Sequence, residues 1–183
     1  MEEARDNVLP VLHNGNAAPP STEFGADRTF GGDRGQDCPM IKLHRDVQER
    51  GIASKAALLW LGHDLEHIRM CVGYGSLVLV RKGWYALPGE NEQVVRAWRV
   101  GGRLACVSAI AFHEGLEPTG ELHVEVPGNT ARLRSPSDRR VPLDRDDDVV
   151  IHWARLRSDG DSRAVDRAAA ARQAAFCTRA GGR

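Results

Sequence analysis

Features that would place a protein in a membrane or an oxidising compartment are missing from this sequence of 183 residues. No run of about eighteen apolar residues occurs, and no charged segment followed by an apolar one opens the chain, so we expect neither membrane insertion nor secretion. No Cys-x-x-Cys pair occurs either, so we expect neither a zinc site nor a disulfide framework. We predict a cytoplasmic protein whose scattered, reduced cysteines serve only in packing: Cys38, Cys71, Cys106 and Cys177.

Net charge is also absent, because 25 Lys and Arg residues balance 25 Asp and Glu residues. The charge of the whole chain therefore does not indicate a nucleic-acid partner, and any affinity for DNA has to come from the local placement of basic residues. Residues 41–90 contain seven Lys and Arg residues against five Asp and Glu residues. That surplus is small for a DNA-binding domain.

Large apolar side chains are scarce at both ends of the chain. Residues 1–39 are rich in Gly, Pro, Asn and Asp and have no helical or strand periodicity, so they cannot bury enough apolar surface to offset chain entropy. We predict that they form a disordered N-terminal segment, and that Met40 is a candidate start of the protein. Residues 158–183 are rich in Ala and Arg, and we predict a disordered or irregular tail there.

Residues 40–90 have the pattern of three short helices followed by a β-hairpin. The first predicted helix spans about residues 42–50 and ends at Gly51. Ser54 can cap the second helix, which Gly62 ends. Asp64 can cap the third helix, whose apolar residues recur at helical spacing. A short turn that contains glycine and joins two helices is typical of a helix-turn-helix, in which the second helix of the pair enters the major groove.

The β-hairpin that follows has a basic tip. Leu77–Val80 is an apolar, β-branched run, Arg81-Lys82-Gly83 has the composition of a turn, and Trp84–Leu87 is predicted to return as a strand. This order predicts a winged helix-turn-helix in residues 40–90. The hairpin tip would contact phosphates, and His63, His67 and Arg69 of the third helix would read bases. The predicted DNA-binding residues are Ser54, Lys55, His63, His67, Arg69, Arg81 and Lys82.

Residues 91–157 are predicted to form a small segment of helices and strands. Glu92–Val100 and Leu104–Phe112 have the spacing of helices with one apolar face. Leu122–Val126 and Val149–Trp153 have the alternation or apolar content of strands. The predicted fold class is therefore α+β, with an N-terminal winged helix-turn-helix, a small helix-and-strand segment and disordered termini.

Several residues in this segment suggest a catalytic or metal site at first sight. A mixed set of histidines and carboxylates can hold a divalent cation, but no HExxH, paired-carboxylate or nucleophile-base spacing connects them. We therefore expect no catalytic residue, no metal site, no cofactor and no enzymatic activity. The residues considered are His113, Glu114, His123, Glu125, His152 and the acidic run Asp146–Asp148.

A family resemblance adds to this interpretation. It rests on the stretches GIASKAALLWLGHDLEHIRMCVGYGSLVLVRKGWYAL, GGRLACVSAIAFHEGL, ELHVEVPGNTARLR and DVVIHWARL. Over about residues 41–157 the chain resembles actinobacterial proteins with an AbiEi-type antitoxin N-terminal domain (type IV toxin–antitoxin systems), which often carry a very-short-patch-repair-like endonuclease domain. The resemblance implies a winged helix that binds operator DNA through the third helix and the wing, in a family that represses its own operon and opposes a nucleotidyltransferase toxin.

The resemblance also has a limit. The endonuclease-type relatives continue for about a domain length with an acidic active site, whereas some thirty residues follow here and contain no such motif. A truncated or frame-shifted gene is the expected origin of this difference. Two hypotheses follow. One is a non-catalytic transcriptional regulator of antitoxin type, with double-stranded DNA, a cognate toxin and a second copy of the chain as candidate partners. The other is a truncated protein-interaction remnant that does not bind DNA.

Overall fold

In the computed structural model, the described part of the chain runs from Cys38 to Ala180, with side chains described as far as Cys177. These residues belong to one compact unit and form six helices and two three-stranded sheets. The predicted α+β class is therefore confirmed. The disorder predicted for the N-terminal segment falls almost wholly on residues 1–37, which lie outside the described residues.

The first half of this unit alternates short helices with a small antiparallel sheet. The two outer strands of this sheet both pair with β3, so that Ile52 and Val78 lie opposite Ala86 from either side. The strand β1 has only three residues, and the sequence did not predict it. The elements are α1 (Pro39–Arg50), β1 (Ile52–Ser54), α2 (Lys55–Trp60), α3 (Leu65–Gly73), β2 (Val78–Arg81) and β3 (Trp84–Ala86).

Side-chain caps fix where α2 and α3 begin. The Ser54 hydroxyl accepts a hydrogen bond from the backbone N–H of Ala57 (3.0 Å). The Asp64 carboxylate accepts from the backbone N–H groups of Glu66 (2.8 Å) and His67 (3.0 Å). These bonds satisfy backbone donors that the first turn of a helix leaves without partners. Both predicted caps are confirmed.

A first hydrophobic core lies between these three helices and their sheet. Leu43 and Val47 of α1 and Ile68 of α3 are fully buried, as apolar residues at helical spacing should be. Tyr85 contributes the ring of the central strand to the same core. Burial of these side chains holds α3 against the hairpin. The buried members of this core are Leu43, Val47, Ala53, Leu58, Ile68, Cys71, Leu77 and Tyr85.

The second half of the unit is built on a mixed sheet. Its central strand β5 pairs antiparallel with β4 and parallel with β6, with His123 opposite Val150 in the parallel register. The elements are α4 (Glu92–Val100), β4 (Arg103–Leu104), α5 (Cys106–Glu114), β5 (Leu122–Pro127), β6 (Val149–Ala154) and α6 (Arg167–Ala180). The predicted bounds of α4 are confirmed.

The second hydrophobic core packs around this sheet and extends into the first half. Its members include Ile52, Val80 and Ala86 of the antiparallel sheet together with Val124 and Val126 of β5. The hairpin is thus packed on both sides, because one of its faces contributes to each core. The two halves therefore share the hairpin as common structure.

The start of α5 differs from its prediction. The helix begins at Cys106, because Arg103 and Leu104 pair with β5 as the short strand β4. Gly102 allows this approach: a Cβ atom there would lie 1.8 Å from the backbone oxygen of Glu125. No side chain fits at that distance, so the backbone of β5 can come this close only to glycine.

The tail contains a helix that composition failed to predict. The expectation of a disordered or irregular tail is wrong for Arg167–Ala180, which form α6 with Ala169 and Ala170 buried in the second core. Alanine has the highest helix propensity and needs little space, so a helix with few large side chains can still pack. The loop before α6 is anchored as well, since the indole N–H of Trp98 donates to the Ser162 backbone oxygen (2.6 Å).

Candidate nucleic-acid interface

A cavity of about 680 Å³ lies between α3, the hairpin and the connection from β5 to β6. Its lining includes seven basic residues and no Asp or Glu, although the whole chain carries equal numbers of basic and acidic residues. Charge of one sign is therefore concentrated at this place. The basic residues of the cavity are Lys55, Arg69, Arg81, Lys82, Arg132, Arg134 and Arg139.

None of these seven side chains forms an ion pair with a carboxylate within residues 38–180. Arg81 is half-buried, and burial together with the neighbouring charge of Arg134 lowers the pKa of its guanidinium. Like charges in a partly buried site repel one another and raise the local potential. An anion in this cavity would relieve that repulsion.

A second cavity, of about 520 Å³, lies on the other side of the same hairpin tip. It shares Arg81 and Lys82 with the first cavity and adds Arg103, Arg155 and Arg157. Its lining contains one carboxylate, that of Glu125, which is already paired with Arg103 (2.9 Å). The hairpin tip therefore separates two basic cavities.

Backbone contacts fix the position of the hairpin tip. The Lys55 backbone N–H donates to the Gly83 oxygen (2.8 Å), which ties the start of α2 to the turn. Gly83 has a φ of +80°, a left-handed conformation that favours glycine. The turn therefore brings Lys82 next to Lys55, at the end of a register shift in the pairing of β2 with β3.

Four of the predicted DNA-binding residues, Lys55, Arg69, Arg81 and Lys82, line the first cavity together. The other three do not line it. The Ser54 hydroxyl is engaged in the cap of α2, and His67 is half-buried on α3. The structure brings together the basic members of the predicted set rather than its histidines.

His63, which is predicted to read bases from the third helix, is buried in front of that helix. Its side chain lies in the turn between α2 and α3, is 7 % exposed, and places Nε2 2.6 Å from the Asp46 carboxylate of α1. Asp46 lies three residues after the buried Leu43, next to the apolar stripe of its helix. A polar residue at the edge of an apolar stripe often binds a buried polar group, and this was the sequence signal that Asp46 could pair with a buried side chain.

Sequence reasoning missed Arg132, Arg134 and Arg139 of the cavity. They lie in the connection between β5 and β6, which reads NTARLRSPSDRR at residues 129–140. The local density of arginine was a usable signal, but only the tertiary fold brings this connection next to α3. Arg132 also has a φ of +60°, and such left-handed conformations at residues with a Cβ often occur at functional sites.

Two histidines and two cysteines meet elsewhere, between the second sheet and α5 and α6. Nδ1 of His123 lies 3.1 Å from Nε2 of His152 and 3.8 Å from Sγ of Cys177, with Cys106 close by. Burial lowers the pKa of both histidines, and burial followed by the neighbouring Cys177 raises that of the Cys106 thiol to about 11. All four cysteines are free, and Cys106 and Cys177, which are far apart in sequence, come together here. His113 does not join them, because its Nε2 lies 2.8 Å from the Val165 backbone oxygen.

Comparison with known proteins leaves the function to be argued from this geometry. No model of a known protein family matches the chain, and no curated protein matches its sequence. Within residues 38–180, none of the helices combines the length and apolar character needed to cross a membrane.

Proposed function

We propose that this protein is a non-catalytic DNA-binding regulator of antitoxin type, which contacts duplex DNA with α3 and the β2–β3 hairpin. The order α1-β1-α2-α3-β2-β3 and the strand order β1-β3-β2 are those expected of a winged helix-turn-helix. Four residues that include Gly62 separate α2 from α3, which agrees with the short turn of that motif. These features support α3 as the recognition helix and the hairpin as the wing.

The observation that carries the proposal is the first cavity, with seven basic residues and no carboxylate. Duplex DNA presents one negative charge per about 1.7 Å of helix axis, and each neutralised phosphate releases condensed counterions. A surface without acidic residues can contact several phosphates without repelling any of them. A globally neutral chain can therefore bind DNA through this one surface.

Within this surface we assign two roles. Lys82 is exposed at the hairpin tip and Arg81 is half-buried beside it, so they are suited to the phosphate backbone, which positions a protein without reading sequence. Arg69 is exposed on α3, and arginine pairs with guanine in the major groove through two hydrogen bonds. Arg69 is therefore the residue assigned to sequence readout.

The biological part of the proposal rests on the family resemblance given above. An antitoxin-type protein of this kind would bind the operator upstream of its own gene, pair with a second copy on two half-sites and oppose a cognate toxin. The alternative is the protein-interaction remnant, which predicts a folded chain without salt-dependent binding to duplex DNA.

The experiment is fluorescence anisotropy of the full chain on labelled duplex from upstream of its own gene, with a scrambled duplex of equal length as comparison. The proposal predicts tighter binding to the upstream duplex. Arg69→Ala should reduce that preference by about 1–3 kcal/mol, the value of a good base contact. An equal loss on both duplexes would refute readout by α3. A folded chain that binds neither duplex at low salt would favour the remnant.

A further inference from the structure

The two histidines and two cysteines between the second sheet and the last two helices form a compact set of metal-ligand atoms. We call Cys106, His123, His152 and Cys177 the Cys2His2 cluster. One ligand atom from each residue lies within 4.8 Å of all the others. All four residues are buried or half-buried. Each comes from a different element, so the cluster joins α5, β5, β6 and α6.

The spacing of these atoms agrees with a tetrahedral zinc site. Zinc binds cysteine sulfur at about 2.3 Å and histidine nitrogen at about 2.0–2.1 Å. In a regular tetrahedron these bonds separate two nitrogens by about 3.3 Å and a nitrogen from a sulfur by about 3.6 Å. The corresponding distances here are 3.1 Å between His123 Nδ1 and His152 Nε2, and 3.8 Å between His123 Nδ1 and Cys177 Sγ. All other pairs of ligand atoms lie within 4.8 Å of each other, so movements of about 1 Å would bring the four atoms to tetrahedral spacing.

The sheet brings the two histidines to one face. In the parallel register His123 lies opposite Val150, so His152, two residues farther along β6, points to the same side as His123. Cys106 is the first residue of α5, and Cys177 lies in the last turns of α6. The four ligands are far apart in sequence, which is why no local zinc motif was visible.

The backbone that carries these ligands is held by a second set of hydrogen bonds. The His123 backbone N–H donates to the Ser108 hydroxyl (2.9 Å), and the Cys106 N–H donates to the Gln173 side-chain oxygen (2.9 Å). The Gln173 amide N–H in turn donates to the Glu125 carboxylate (2.9 Å). Metal sites depend on such outer contacts to orient their ligands.

The backbone of Cys106 is itself unusual. Its φ is +51°, a left-handed conformation that residues with a Cβ rarely adopt. Conformations of this kind persist where the surrounding structure requires them, and they concentrate at ligand and active sites. The side chain of Cys106 is fully buried, and here the conformation accompanies its convergence with the other three ligand atoms.

We propose that Cys106, His123, His152 and Cys177 bind one Zn²⁺ ion in a closed tetrahedral site that fastens α6 to the second sheet. Two thiolates and two imidazoles are the ligand set of many structural zinc sites. Binding converts both thiols to thiolates, so two protons leave for each ion bound. With four protein ligands no position stays open for a substrate, and the ion stabilises the fold. This site is independent of DNA binding.

The test is to purify the full chain under reducing conditions and to measure its metal content by inductively coupled plasma mass spectrometry. The proposal predicts one zinc per chain. Exchange of zinc for Co²⁺ should give the visible bands of tetrahedral cobalt and a thiolate charge-transfer band in the near ultraviolet. Cys177→Ser should abolish zinc retention or weaken the charge-transfer band, whereas Cys38→Ser, at an exposed cysteine outside the cluster, should change neither.

Three results would overturn the proposal. One is a folded, reduced chain that contains no zinc and gives no cobalt spectrum, a measurement that needs no variant to fold. Another is a Cys177→Ser protein with unchanged zinc content and an unchanged charge-transfer band. The last is a Cys106–Cys177 disulfide in the purified chain that re-forms after reduction in the presence of zinc, because a redox pair would then explain the proximity of the thiols.

Discussion

Glu125 accepts hydrogen bonds from two elements and one loop, so its replacement by Gln should weaken the whole second half of the protein. Its carboxylate binds the Arg103 guanidinium of β4 (2.9 Å and 3.2 Å), the Ser158 hydroxyl after β6 and the Gln173 amide of α6 (2.9 Å). Both Glu125 and Arg103 have side chains that are only 3 % exposed. A single unpaired charge at this place would therefore be poorly solvated.

The expected loss follows from that burial. Glu125→Gln keeps the shape of the side chain but leaves the Arg103 charge buried without its counterion, and removal of one partner from a buried pair costs about 3–5 kcal/mol. A typical domain is stable by about 5–15 kcal/mol, so the variant should remain folded but lose a large part of its stability. Urea unfolding at pH 7 measures this loss as a lower midpoint at an unchanged slope.

The pH dependence provides an internal check. Burial raises the pKa of Glu125, but hydrogen bonds from Ser158 and Arg103 and the charge of Arg103 outweigh this effect and lower the pKa below its usual value. A carboxylate with a lowered folded-state pKa stabilises the fold above its unfolded pKa of about 4.3 and loses this contribution as the pH falls through the folded pKa. The difference between wild type and variant should therefore narrow below about pH 4.

The exposed Glu117 supplies the matched control, since Glu117→Gln removes the same charge without breaking a buried pair and should change stability by less than about 0.5 kcal/mol. An ordinary substitution changes the free energy of unfolding by about 1 kcal/mol. A Glu125→Gln loss no larger than about 1 kcal/mol at pH 7 would therefore refute the reasoning.

Three further perturbations test the fold. His63→Ala should lower the free energy of unfolding in urea by about 1–3 kcal/mol, because Asp46 is left without its partner. The variant should keep the preference for upstream over scrambled DNA. Loss of that preference would mean that His63 contributes to sequence readout. Gly102→Ala should lower the free energy of unfolding by more than about 3 kcal/mol, since its Cβ would lie 1.8 Å from a backbone oxygen. Its control is Gly73→Ala, which has open space around it and should unfold at the wild-type urea midpoint or slightly above it. A chain that ends at Arg157 should show a broad, non-cooperative thermal transition by circular dichroism; cooperative unfolding at the wild-type temperature would contradict the packing of α6.

The elements that the sequence predicted well are those with local chemical signals. Ser54 and Asp64 cap their helices as expected, because a capping side chain reaches only two or three residues along the chain. The hairpin was also predicted, since Gly83 lies between two apolar runs and supplies the left-handed turn residue. In each case the residues that fix the element lie within it or directly beside it in sequence.

The parts that could not be predicted depend on distant partners. The strand β1 has three residues and exists because Ile52 pairs with Ala86, which no pattern within β1 reveals. The helix α6 contains seven alanines and one phenylalanine, so the lack of large apolar residues suggested an irregular tail. The high helix propensity of alanine favours a helix instead, and packing of α6 against the second core stabilises it.

The candidate sites divide in the same way. The positions Lys55, Arg69, Arg81 and Lys82 were predicted from helix order and a basic turn, and all four line one cavity. The three arginines of the β5–β6 connection complete that cavity only after the chain folds. The Cys2His2 cluster brings together residues from four elements, so neither the spacing of the cysteines nor that of the histidines could indicate it.

The most direct test of DNA binding through the basic cavity is the salt dependence of affinity for the wild type and two variants. On B-DNA, log K falls with log salt at a slope of about −0.9 per phosphate contact. Arg81→Ala with Lys82→Ala should therefore make the slope shallower by about 1.8 and weaken binding to upstream and scrambled duplexes alike. Arg172→Ala, at an exposed arginine of α6 outside both cavities, should leave slope and affinity unchanged. Equal slopes for the wild type and the double variant would contradict the proposed interface.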